Sequence, residues 1–127
     1  MPDKNDFEET FRELRKILKS YEKKLILVHD TDTNYYLDTH HLLKGKYRLC
    51  FGAVKSGKAY VSFNLMPIYA HAALMEGMSP ELKRHMQGKA CFNFKKPDLK
   101  LFKELAAVTK KGFALFQDKK FLETITR

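Results

Sequence analysis

The residues best suited to chemistry are histidines and carboxylates gathered in one short stretch: His29, Asp30, Asp32, Asp38, His40 and His41. Imidazole together with carboxylate suits iron or zinc. If residues 25–28 pair with residues 35–37 as a hairpin, His29 and Asp30 leave one strand while Asp38 and His40 leave the far end of the other. The strands then hold these groups several residues apart, and aspartates in turns are common without any metal. His29, Asp30, Asp38 and His40 form the candidate metal set.

A second pattern touches phosphate chemistry. Gly52, four residues, then Gly57-Lys58 matches G-x-x-x-x-G-K. A phosphate-binding loop needs Ser or Thr after the Lys and a helix starting there, so that backbone N–H groups point at the phosphates. This chain has Ala59, and Ala59-Tyr60-Val61-Ser62-Phe63 has the composition of a strand. The lysines at 55 and 58 are read as a solvated hairpin tip.

Nucleophiles are few. Cys50 and Cys91 both lie in alternating apolar runs, where a buried, inert thiol is the usual outcome. Ser62 has no G-x-S-x-G elbow around it. No acid and base present themselves as a pair, so the chain reads as a binding protein rather than an enzyme, with no cofactor.

Composition narrows the partners. A chain of 127 residues with 44% hydrophobic residues is one domain with one packed core. Its net charge of +9 is carried mainly by scattered lysines, with Arg12, Arg15, Arg48, Arg84 and Arg127 as the arginines. Arginine is better suited than lysine to bidentate phosphate and guanine contacts. Nucleic-acid binding is therefore expected to be nonspecific at most. No apolar run approaches the roughly 20 residues of a membrane helix. No apolar segment follows Met1-Pro2-Asp3-Lys4-Asn5-Asp6, which, with the unpaired reading of both cysteines, points to the cytoplasm.

The elements that must position these groups follow from periodicity. Asp6 with Glu9 resembles a capping box, and Phe7, Phe11, Leu14, Ile17 or Leu18, and Tyr21 follow at helical spacing. Residues 25–28 and 35–37 read as strands, with residues 38–41 as a loop. Residues 47–69 read as a hairpin around Lys55-Ser56-Gly57-Lys58, Gly57 supplying a positive φ, and Pro67 ends its second arm. Residues 72–75 form a short turn stopped by Gly77, and Ser79-Pro80-Glu81 starts a helix that Gly88 stops after Met86-Gln87. Ala90, Phe92 and Phe94 share one face of a further strand. Pro97-Asp98 opens a last helix whose core face includes Leu99, Phe102, Leu105, Thr109, Phe113 and Phe116, with Gly112 as a weak point where it can break. This order gives an α+β single domain: a mainly antiparallel sheet of about five strands covered by the N- and C-terminal helices.

Between two of the strands lies a soft cluster rich in Met and aromatic residues. Met adapts to irregular shapes and varied partners. Phe63, Met66 and Met86 are candidates to line an apolar groove, with Asn64, Tyr69, His71 and Lys89 at its polar rim. Core packing is the competing role for the same side chains.

Residues 60–69, YVSFNLMPIY, then SPELK at 79–83 and MQGKACFNF at 86–94, carry a family resemblance. The chain resembles, over residues 45–116, the YdhG-like family of domains of unknown function. The resemblance implies a frataxin-like α+β fold and, as labelled for some members, an iron-chaperone role. Frataxin-type iron binding uses an acidic ridge on the first helix and first strand. Here Glu8, Glu9 and Glu13 stand beside Arg12, Arg15, Lys16 and Lys19, so a hard cation is repelled as well as attracted. The expected function is binding of a small molecule or a partner protein.

Overall fold

The computed structural model describes residues 4–125; Met1, Pro2, Asp3 and Arg127, named in the readings above, lie outside the described residues. The first helix, α1 (Lys4–Lys19), buries Phe11, Leu14 and Leu18 on one face, as its spacing predicts. It is already helical at Lys4, so Asp6 lies inside the first turn rather than before it. The Asp6 carbonyl there accepts a hydrogen bond from the Thr10 hydroxyl (2.6 Å).

Six strands follow, not five: β1 (Ile26–Asp30), β2 (Asn34–Leu43), β3 (Tyr47–Ser56), β4 (Val61–Leu65), β5 (Met86–Gln87) and β6 (Cys91–Phe94). They form one antiparallel sheet in the order β1-β2-β3-β4-β6-β5. The additional strand, β5, has two residues and pairs only with β6. Asp38, Thr39, His40 and His41 do not form the expected loop; they carry β2 onward alongside β3. A long apolar neighbour supplies ladder partners that local propensity does not anticipate.

The β2–β3 turn has positive φ angles at Lys44 (55°) and Gly45 (67°), and there Lys46 N–H bonds the Leu43 carbonyl at 3.0 Å. Gly57 does not have a positive φ, so the β3–β4 connection is closed differently, by Gly57 N–H on the Tyr60 carbonyl (2.9 Å).

Pleating sends alternate residues to opposite faces. Tyr35, Val54, Phe63 and Phe92 lie side by side across β2, β3, β4 and β6, all buried beneath the helices. On the other face the neighbouring line is Tyr36, Ala53, Asn64 and Cys91. One extra residue on β3, Phe51, breaks this alternation, because Leu37 pairs with Gly52 and Asp38 with Cys50. The bulge lets Phe51 pack edge-on against Phe113 (5.7 Å) while Gly52 lies under Leu18.

The connection from β4 to β6 starts as expected, but the helix begun at Ser79 ends at Lys83, and Met86–Gln87, expected to close it before Gly88, pair with β6 as β5. Pro67 sits in the first turn of α2 (Met66–Ala70), a 3-10 turn covers Ala72–Met75, and Ser79 caps α3 (Pro80–Lys83) by accepting from Leu82 N–H at 3.2 Å. Glu104 clamps that cap: its two carboxylate oxygens accept from the Ser79 N–H and hydroxyl, each at 2.7 Å. Asp98 caps α4 (Leu99–Phe116) through Leu101 N–H at 3.1 Å. Leu99 belongs to the exposed side of this helix, and Leu101 takes its place in the core.

Gly112 does not break α4. The helix runs through it to Phe116, and the short α5 (Lys119–Ile125) follows. Gly112 has no side chain because Pro67 packs there: an added Cβ would meet the Pro67 ring at 2.8 Å. Replacing a mid-helix Gly by Ala normally gains about 1 kcal/mol. Overpacking against a rigid ring costs about 1–3 kcal/mol. Gly112→Ala is therefore expected to lower the midpoint of denaturant unfolding; a raised midpoint would show that α2 and α4 are not held this closely.

Candidate functional site

The most chemically furnished hollow begins at an irregularity in β2. Asp38 pairs with Cys50 and Leu42 with Arg48, so Thr39, His40 and His41 stand opposite the single residue Leu49. Bulges of this kind re-aim side chains and recur beside functional sites. Thr39 is buried and stitches the bulge. Its hydroxyl donates to the Leu49 carbonyl at 2.8 Å and accepts from His41 N–H at 3.2 Å, replacing ladder bonds that the extra residues forfeit.

The re-aimed histidines border a cleft of about 430 Å³ between this end of the sheet and the C-terminal helices. Leu25, Phe116 and Leu122 give it an apolar floor. His40, His41, Lys24 and Lys119 stand around it with Gln117, and Glu123 is the one carboxylate in the lining. The Lys24 ammonium lies 6.0 Å from the centre of the Phe113 ring, a cation–π distance that holds the charge near the cleft. Two ammonium groups and two imidazoles over an apolar floor can hold a carboxylate or phosphate whose remainder is apolar. Among the lining residues, the Thr39 hydroxyl is committed to Leu49, and no cysteine or serine faces the imidazoles.

The candidate metal residues do not converge. Asp30 accepts from Arg15 at 2.8 Å on the helix side of the sheet, whereas His29 pairs with Tyr36 and takes the other face. Asp38 is held by Arg48 at 3.2 Å, and His40 is at the cleft. Asp30 and Asp32 border a separate hollow with Arg12 and Arg15, whose guanidinium charges oppose a cation. Among the described residues, no three His, Cys, Asp or Glu side chains are grouped to hold a metal ion.

Nor do the candidate groove residues share one groove. Phe63 is fully buried under the helices, and its neighbour Asn64 points to the opposite face, as strand pleating requires. Met66 and Met86 are half-buried against the core. Tyr69 is 62% exposed, with the Lys89 ammonium 5.7 Å from its ring. His71 is exposed and lies 5.7 Å from the Phe121 ring. Of the cleft residues, sequence reasoning singled out His40 and His41, for metal. Leu25 and Phe116 carry only the signal of core residues, and no local pattern links Lys24 to Lys119.

The face of the sheet opposite the helices is polar and internally bonded. Asn93 accepts from the Ser62 hydroxyl at 3.0 Å and donates to Gln87, while the Tyr36 hydroxyl hydrogen-bonds the Cys50 sulfur. Burial pushes the Cys50 thiol up from its ordinary 9.0 to about 11, with the Asp38 charge adding to the rise and the Tyr36 bond opposing it. Burial likewise raises Cys91. Both thiols are free, and neither is activated as a nucleophile.

Two measurements check this geometry. Thr39→Val leaves the His41 N–H and the Leu49 carbonyl without their partner. It is expected to cost about 1–3 kcal/mol in denaturant unfolding, and Thr39→Ser much less. A neutral Thr39→Val would mean that the bulge is held by other contacts. For Cys50, the folded state keeps its proton more tightly than the unfolded chain. Stability is full below pH 9 and falls as pH rises toward 11, by at most about 1.4 kcal/mol per pH unit for one thiol. Cys50→Ala is expected to flatten that part of the pH–stability curve; an unchanged slope would place the thiol in water.

No protein-family model, curated protein or solved structure matches the chain.

Proposed function

We propose that the chain is a non-catalytic binding domain whose ligand is a small amphiphile with an anionic head, carboxylate or phosphate, and an apolar body. The observation that carries this reading is the stitched bulge in β2, which sets His40 and His41 beside Lys24 and Lys119 over Leu25, Phe116 and Leu122. A protein with no need of this corner could continue β2 in register. The volume, about 430 Å³, lies within the ordinary range of small-molecule sites. Kinship with the YdhG-like family is part of the proposal. The passage from β4 through Pro67, Ser79-Pro80 and Gly88-Lys89 to Phe92 and Phe94 supports it. We place the protein in the cytoplasm, where two free thiols persist. No described helix is long and apolar enough to cross a membrane.

The test is a titration of the isotope-labelled protein with octanoate and with phenyl phosphate, followed by NMR. Either probe is expected to shift the signals of His40, His41, Gln117 and Leu122 as one saturable site. Lys24→Ala combined with Lys119→Ala should weaken binding about tenfold, equivalent to ~1.4 kcal/mol. Shifts confined to other surfaces, or binding indifferent to both lysines, would refute the assignment. Saturable binding of Zn²⁺ or Fe²⁺ at His29, Asp30, Asp38 or His40 would favour the metal reading instead.

A further inference from the structure

A second concave surface lies on the outer side of the helix layer, separate from the cleft. The furrow between α1 and α4 has a volume of about 690 Å³ and is floored by Ile17, Phe102 and Ala106. Leu99 stands in its wall with 63% of its surface exposed. Leu99 thus extends outward the apolar strip that Ile17, Phe102 and Ala106 begin.

Charge frames this apolar strip on both sides. Lys16 rises from α1, and Lys100 and Lys103, one helical turn apart, rise from α4. Lys16 is held by Glu13 at 3.0 Å, so its charge is partly answered within the protein. Among the described residues, neither Lys100 nor Lys103 forms an ion pair. Lys95 and Lys96 lie just before α4 and extend the same sign. The furrow thus offers apolar contact along its floor, a Lys16–Glu13 pair on its α1 side, and unanswered positive charge at Lys100 and Lys103 on its α4 side.

We propose that this furrow docks one amphipathic, acidic helix of a partner protein. A helix laid between α1 and α4 places an apolar stripe on Ile17, Leu99 and Phe102 and its flanking carboxylates against Lys16, Lys100 and Lys103. Helix-in-groove recognition combines an apolar trough with complementary rims. A lipid surface also carries negative charge, but the narrow apolar strip beside Lys100 and Lys103 matches the stripe and charged flank of one helix.

The experiment uses the full chain, labelled for NMR, and a peptide of about 18 residues, long enough to run beside α4 at helical rise. The peptide carries Leu at positions repeating as i, i+3, i+4, i+7 with Glu on both flanks. A control has the same composition in scrambled order. The patterned peptide is expected to shift Ile17, Leu99, Lys100 and Lys103, to bind at least about tenfold more tightly than the control, and to weaken as salt rises. Lys100→Glu combined with Lys103→Glu should weaken it at least about tenfold, and Leu99→Ser several-fold. These side chains are exposed, so circular dichroism melts of the variants should match the parent. Equal binding of the scrambled peptide, indifference to the double variant, or shifts elsewhere would overturn the proposal. Binding to vesicles of phosphatidylserine and phosphatidylcholine without binding to the peptide would also overturn it, assigning the furrow to membranes.

Discussion

The structure depends on one buried line of side chains, Tyr35, Val54, Phe63 and Phe92, carried by four adjacent strands and covered by α1 and α4. Burying each large side chain is worth about 1.5–3 kcal/mol. A shift of one residue in any strand would turn its member of the line into water. Register is therefore fixed along this line. The Phe51 bulge and the Thr39–His41 bulge both lie on the β2–β3 pair, further along the two strands from Tyr35 and Val54. The first deepens the core by adding a ring under α4. The second stands at the border of the core, where Thr39 and Leu49 are still buried and His40 and His41 turn to the cleft.

The helices fit this sheet through absences as much as presences. Gly52 lets Leu18 of α1 come down onto β3, where a Cβ would meet the Asn64 carbonyl and the Leu18 side chain at 3.0 Å. Gly112 does the same for Pro67 against α4. The clamp of Glu104 on Ser79 then ties the β4–β6 connection to the same helix. Once both helices are seated, the space left at the ends of α4 is decided: the cleft at its C-terminal end, and the furrow where its N-terminal half meets α1.

Sequence reading recovered what depends on local chemistry. The apolar face of α1, the helix starts at Ser79-Pro80 and Pro97-Asp98 and the inward pair Phe92 and Phe94 all stand where their residue types place them. It failed where the deciding partner is distant in the chain. His40 and His41 are poor strand residues and become strand because β3 lies alongside; Gly112 reads as a helix breaker until Pro67 is seen against it. β5 is too short to leave a pattern. For the site, the histidines were visible but their setting was not, since Lys24, Leu25, Phe116 and Lys119 come from separate elements. The candidate groove set is divided for a simpler reason: Phe63 and Asn64 are consecutive in a strand and cannot line the same wall.

The two outermost strands have a consequence for how the molecule behaves when crowded. An unpaired strand edge is a template on which another chain can add, the first step toward ordered aggregates. Here one border is β1, short and broken by a register shift between Leu27 and His29, with Asp30 anchored sideways by Arg15. The other is β5, of two residues. Neither offers the length of straight ladder that a templated chain needs. Both borders of the sheet are thus blunted in the way that discourages edge-to-edge pairing between copies.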